Sequence, residues 1–97
     1  MGPVKAALES TIQYTTAELG PKQIRANAIS PGPIRTRAAG GIAHFDELLA
    51  AEVVAAPEHQ LVDIDDVGPL AAVLVGDGAR GITDSIIPVD AGQHVIA

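Results

Sequence analysis

Two short apolar segments, Ile24–Ser30 and Ser85–Val89, are separated by a long stretch with helical patterns. Apolar runs of this length between turn residues are typical of buried strands. Two strands joined by a helical crossover are expected to be parallel, with a right-handed connection. Because a two-stranded parallel sheet leaves both edges open and is rarely stable alone, the sequence predicts part of a larger doubly wound α/β sheet.

A first helix is predicted from Gly2 to Leu19. Pro3 suits a first helical turn, where its missing N–H is not needed, and Gly20-Pro21 is a stop signal. The predicted buried stripe of this helix consists of Val4, Leu8, Ile12 and Leu19.

Two further helices are predicted between the strands. One runs from about Ala43 to Ala56 and is closed by Pro57; the other begins near Asp63, a good N-cap, with Asp66 in its acidic first turn. Their predicted apolar faces are Phe45, Leu48, Leu49 and Val53 in the first, and Leu70, Val73 and Leu74 in the second.

Composition excludes several classes of function. With 6 basic and 12 acidic residues the net charge is −6, which disfavours nucleic acid as a partner. The absence of cysteine removes disulfides, thiol catalysis and zinc–thiolate sites. The three histidines lack metal-binding spacing, so no metal site is predicted. No apolar run approaches a membrane span and no signal peptide is evident, so a soluble cytoplasmic protein is expected.

Residue types and their spacing alone do not identify a complete set of catalytic residues. There is no GxGxxG phosphate loop, and Tyr14, the single tyrosine, has no lysine four or seven residues after it. The serines have no His–Asp partners at a recognisable spacing.

A family resemblance runs along the whole chain. A lysine in the first helix, Lys5, is followed by the strand Arg25–Ser30 and the loop Ser30-Pro31-Gly32-Pro33-Ile34-Arg35-Thr36. This order of features resembles the short-chain dehydrogenase/reductase superfamily, and the residues at these positions resemble those of the NADH-dependent enoyl-acyl-carrier-protein reductases. Further matching stretches are Met1–Glu9, Ala38–Ile42 with Phe45, Ile64–Gly68 and Val89–Gly92.

The resemblance implies a partial Rossmann-type fold and a set of site residues. Lys5 would be the active-site lysine, which hydrogen-bonds the nicotinamide ribose and supports a catalytic tyrosine. The cofactor-binding residues would also include Pro33, Ile34 and Thr36. Substrate-loop residues would be Ala38, Ala39, Ile42 and Phe45. The implied cofactor is NADH, the implied partner is an enoyl chain on acyl carrier protein, and a homo-oligomer is expected.

The chain also departs from the family pattern. The tyrosine seven residues before the lysine would precede Met1, and the glycine-rich phosphate loop is absent. Asp84 stands where a glycine is usual, and Glu58-His59-Gln60 replaces a basic pair. We therefore expect a single domain, residues 1–97, that corresponds to the C-terminal part of the family fold and is inactive alone.

Two other interpretations stay open at the level of sequence. The chain could be a fragment of another superfamily member of the ketoacyl reductase type, whose tyrosine lies four residues before the lysine. It could also be a non-enzymatic remnant that persists by forming oligomers.

Overall fold

The structure is a computed structural model and describes residues 2–32, 34 and 45–95. Within these ranges the chain forms three α-helices and two β-strands. In chain order they are α1 (Gly2–Leu19), β1 (Ala28–Pro31), α2 (Phe45–Ala55), α3 (Ile64–Val75) and β2 (Ile86–Val89). Single 3₁₀ turns lie at Gly20–Lys22, Asp77–Ala79 and Gln93–Val95. All predicted elements are present, although both strands are shorter than predicted.

The two strands pair with each other in the described part of the chain. The amide of Ala28 donates to the carbonyl of Ser85 at 2.8 Å, and the amide of Gly32 donates to the carbonyl of Val89 at 3.0 Å. From the first of these bonds to the second, the donor and the acceptor residue numbers increase by the same amount, so the strands are parallel. The predicted α/β layer with a helical crossover is confirmed.

The outward edges of the two strands are alike. In this register the backbone groups of Ile86 and Pro88 point away from β1, and those of Ile29 and Pro31 point away from β2. Pro31 and Pro88 have no N–H to donate, so each outward edge lacks one donor of a regular ladder. Ile29 and Ile86 keep both their donor and their acceptor, so each edge can still pair over a short stretch.

The chain divides into two compact units. One comprises residues 1–29 and 71–87, and the other residues 30–70 and 88–97. In the first unit, Ile29 borders a groove with Leu74 of α3, and Ile86 borders a hollow with Glu9 of α1. Ile29 pairs with Ile87, so the side chains of Ile29 and Ile86 point to opposite faces of the sheet. Helices α1 and α3 therefore cover opposite faces of this unit.

Helix ends carry specific hydrogen bonds. At the end of α1 the amide of Gln23 donates to Gly20 and that of Ile24 donates to Leu19, the pattern of a Schellman motif. The left-handed residue is Gln23, with φ 63°, and not the predicted Gly20. Pro21 is compatible with a 3₁₀ turn, so the chain makes one more tight turn before it stops.

The predicted start of α3 is confirmed. The Asp63 carboxylate accepts the amide of Asp65 at 2.8 Å, and the Asp66 carboxylate accepts the amide of Asp63 at 2.8 Å. This reciprocal pair satisfies two amides that the first helical turn leaves free.

The buried core of the described residues is small. Its hydrophobic members are Leu49, Ala56, Leu74, Ala79 and Ala91. No large side chain is fully buried among them, and Val4 and Val73 are 62% and 61% exposed. The predicted stripes of α1 and α3 are therefore wrong at Val4, Leu8 and Val73, because the described chain offers nothing that covers them. Leu48, on the predicted apolar face of α2, is exposed as well. Such a surface is typical of a protein part that packs against additional structure.

Candidate functional site at the carboxyl ends of the strands

Of the predicted cofactor loop, the structure describes Gly32 and Ile34. Ile34, in the loop that follows β1, is half-buried. The predictions at Pro33, Thr36, Ala38, Ala39 and Ile42 lie outside the described residues. Phe45 begins α2, but its side chain lies outside them as well.

Gly32 lies against the residue that follows β2. A Cβ atom on Gly32 would come within 3.1 Å of the Asp90 Cβ and 3.3 Å of the Asp90 Cα. Val62, before α3, would be 3.9 Å away. Glycine at position 32 is therefore what lets the loop after β1 pass this close to the chain after β2.

Asp90 organises the turn after β2. One carboxylate oxygen accepts the amide of Gly92 at 3.0 Å, and the other accepts the amide of His94 at 3.0 Å. The His94 ring Nδ1 lies 3.0 and 3.1 Å from the two oxygens and donates in the tautomer that carries its proton there. Sequence analysis did not predict this contact between Asp90 and His94.

These bonds control the charge of Asp90. Partial desolvation raises the pKa of the carboxyl, but the bonds from the His94 ring and from the amides of Gly92 and His94 lower it. The net pKa lies below its ordinary value of 3.8. Asp90 is therefore a carboxylate at neutral pH, with its side chain only 9% exposed.

The same turn contacts the end of α2. The amide of Glu58 donates to the Ala91 carbonyl at 3.2 Å. Gly92, with φ 90°, lies so close to Pro57 that an added Cβ would be 3.0 Å from the Pro57 Cγ. A hollow of about 430 Å³ opens here, bordered by polar side chains that include Glu58, Asp66 and His94.

Lys5, the predicted catalytic lysine, is an exposed residue in the first turns of α1. Tyr14 is 74% exposed and lies nine residues further on. At 3.6 residues per turn that spacing places Tyr14 about 180° around the helix from Lys5. A tyrosine seven residues before Lys5 would share its face, so Tyr14 cannot substitute for it.

Arg25 braces the opposite, amino end of the sheet. Its Nη1 donates to the carbonyls of Leu74 at 2.6 Å and Ala79 at 2.9 Å. Longer contacts of 3.4 Å reach the carbonyls of Gly76 and Ile82. The guanidinium thus satisfies carbonyls at the end of α3 and in the turn after it, a function that no local sequence pattern predicted.

Asn27 joins the two segments just before the strands begin. Its amide group donates to the Ile82 carbonyl at 3.0 Å, and its carbonyl oxygen accepts the amide of Ser85 at 3.0 Å. Arg25 and Asn27 were placed in a predicted strand, but they hold the strand entrance through their side chains instead.

The described residues contain no group of three or more histidine, cysteine, aspartate or glutamate side chains that could hold a metal ion. No helix in the described ranges combines the length and the apolar character needed to cross a membrane.

Comparison with known proteins gives one consistent result. A family profile described as "Enoyl-(Acyl carrier protein) reductase" matches residues 1–94. The NADH enoyl-acyl-carrier-protein reductase of Escherichia coli is 43% identical over 97 residues, 100% of this chain and 37% of its own length. The NADPH enzyme of Staphylococcus aureus is 45% identical over 96 residues, covering 99% of this chain and 38% of its own.

Solved structures agree. The Bacillus cereus enoyl-acyl carrier protein reductase, with NADP⁺ and an indole naphthyridinone, superposes with a TM-score of 0.92 at 41% identity over 100% of this chain and 38% of its own. The Anaplasma phagocytophilum enzyme in complex with NAD gives 0.86 at 44% identity over 98% of this chain and 36% of its own. The chain thus spans well under half the length of these relatives.

Proposed function

The chain belongs to the enoyl-(acyl carrier protein) reductase family, and from that premise we propose that it supplies the nicotinamide-facing part of an NADH-dependent reductase. The reaction would reduce enoyl thioesters on acyl carrier protein in the cytoplasm, as a step of fatty acid biosynthesis. The observation that carries this proposal is the loop that leaves β1 at Gly32 beside Asp90. Ligands of open parallel sheets bind outside the carboxyl ends of the strands, which is where this loop lies.

In this proposal Lys5 binds the nicotinamide ribose and supports a tyrosine supplied by additional protein. The loop residues Pro33, Ile34 and Thr36 contact the cofactor. Such fixed contacts orient a cofactor whose own chemistry, when it is bound, is hydride transfer. The predicted substrate-loop residues Ala38, Ala39, Ile42 and Phe45 would contact the acyl chain.

A chimera tests this proposal. The N-terminal portion of the E. coli relative that precedes the matched region would be joined to this chain and assayed for NADH oxidation with a crotonyl thioester. We expect activity that falls by about a hundredfold or more in Lys5→Ala, because the substitution removes a fixed cation beside the reacting groups. Lys22→Ala, an exposed lysine in the turn after α1, is the matched control. A folded, active chimera that Lys5→Ala leaves unchanged would refute the assignment.

The isolated 97-residue chain is expected to be inactive. Without an adenosine pocket or a phosphate-binding helix end, affinity for NADH tighter than micromolar, about −8 kcal/mol, is out of reach. Calorimetry with NADH, together with the same oxidation assay, checks this. Turnover by the isolated chain that Lys5→Ala abolishes would contradict the prediction and show that the site is rebuilt by association.

Self-association is a second proposal, and it applies whether the chain is part of an enzyme or a non-enzymatic remnant. It is supported by the open edge at Ile29 and by exposed apolar side chains such as Val4, Leu8 and Val75. Sedimentation at micromolar concentration should show dimers or larger species. A monodisperse monomer would count against it.

A further inference from the structure

We propose that the turn after β2 is a positioning clasp that fixes two separate segments at once: the loop that follows β1 and the turn that ends α2. The clasp is residues 90–95. The inference rests on the proposed function, because those two segments border the cofactor loop and the substrate helix proposed above. It makes Asp90 a positioning residue that acts through other residues.

The clasp is rigid because Asp90 uses both carboxylate oxygens internally. They accept the amides of Gly92 and His94, and the His94 ring spans both oxygens at 3.0 and 3.1 Å. Backbone bonds from Gln93 to Asp90 and from Val95 to Gly92, each 3.1 Å, close the turn. A carboxylate that receives this many donors holds one conformation.

On one side the clasp touches the loop after β1. The ladder bond from Gly32 to Val89 brings the two backbones together, and the next residue, Asp90, fills the space that a side chain at position 32 would need. The position of Gly32 is therefore set by where Asp90 lies.

On its other side the clasp touches the end of α2. Ala91 is 8% exposed and left-handed, with φ 56°, and its carbonyl accepts the amide of Glu58. Gly92 packs against the Pro57 ring without room for a side chain. A non-glycine residue in the left-handed region costs free energy, so this geometry persists only because the surrounding bonds impose it.

Both contacts depend on one side chain. If the Asp90 carboxylate is removed, the turn keeps only its two backbone bonds and loses those from Gly92 and His94, and the amides of Gly32 and Glu58 should open together. A residue that was important only within its own turn would not produce this paired effect.

Amide hydrogen exchange on the 97-residue chain tests the clasp. In Asp90→Ala we expect about tenfold faster exchange both at Gly32 and Ile34 and at Glu58 and His59, with α1 unchanged. Asp90→Asn keeps an oxygen for the Gly92 amide and should give an intermediate result. Asp65→Ala, an exposed aspartate in the same unit, is the matched control and should change neither region. Faster exchange confined to residues 90–95 would overturn the proposal.

Two further variants keep the test decisive. If Asp90→Ala also accelerates exchange in α1, His94→Ala is the deciding variant, because it removes only the imidazole ring. We expect about threefold faster exchange at both contacts in His94→Ala. Unchanged exchange at both contacts would overturn the proposal. In the other direction, Gly32→Ala should shift the His94 ring resonances by pushing on Asp90, and an unshifted ring would contradict the contact. These measurements use no cofactor, so the two tests are separate. A folded, active chimera that Lys5→Ala leaves unchanged refutes the function, and a failed exchange experiment refutes the clasp.

Discussion

The two ends of the parallel sheet are built in different ways. At the amino end, long polar side chains hold the backbone: Arg25 and Asn27 reach carbonyls and amides on the chain between α3 and β2. At the carboxyl end, glycines allow close approach: Gly32 lies against the Asp90 backbone, and Gly92 lies against the Pro57 ring.

This difference indicates that one end of the sheet serves stability and the other serves ligand binding. Side-chain braces can satisfy buried carbonyls but occupy the space around them, so they suit an end that only has to be stable. Close backbone approach leaves room for a ligand above the strand ends, and this is the end at which open parallel sheets bind ligands. Stability should therefore depend more on Arg25 than on any single residue of the clasp.

The largest expected effect is at the amino end. Arg25→Ala leaves the carbonyls of Leu74 and Ala79 without their donor in a partly buried site, and should lower the free energy of unfolding by about 2–4 kcal/mol. Urea denaturation followed by circular dichroism measures the change. Arg80→Ala, an exposed arginine of the same unit, serves as the control. Equal effects for the two variants would remove the contrast between the two ends.

The carboxyl end should respond to pH. The folded-state pKa of Asp90 lies below 3.8, so its carboxylate stabilises the fold above that pH, and this stabilisation is lost as pH falls through the folded-state pKa. The stability difference between wild type and Asp90→Asn should therefore be full at pH 6 and shrink below about pH 4. The stability difference between wild type and Arg25→Ala depends on a guanidinium that stays charged, so this difference should not shrink in the same way at low pH. A gap for Asp90→Asn that stays constant down to pH 2 would contradict the prediction.

The smallest effects concern left-handed residues. Gln23 at the end of α1 and Asp84 before β2 have φ of 63° and 56°. Glycine adopts this conformation without strain, so Gln23→Gly should stabilise the chain by up to about 1 kcal/mol, and Asp84→Gly by less because aspartate tolerates the region. Thermal unfolding measures both. Gln13→Gly, in the interior of α1, is the control and should destabilise instead.

Local signals made the helices predictable. Pro3, Gly20-Pro21, Asp63 and Asp66 act within a few residues of themselves, and the helix limits followed from them within about two residues. Parallel pairing followed from the order of elements and from the helical crossover.

The braces and the clasp could not be predicted in the same way. The acceptors of Arg25 lie about fifty residues further along the chain, and the approach of Gly32 to Asp90 exists only after the strands pair. The departure at Asp84 from the glycine usual in the family led to no structural prediction; the positive φ found there explains why glycine suits that position. The roles of Lys5, Pro33, Ile34 and Thr36 came from resemblance and stay predictions.

Pro31 and Pro88 have a consequence for how copies of this chain can assemble. Each outward edge of the two-stranded sheet carries one proline, so an added strand meets a position without a donor after a short stretch. Pairing at either edge is therefore limited in length. Fibres need long, regular ladders, so these two imino acids, one on each strand, favour finite association over fibre formation.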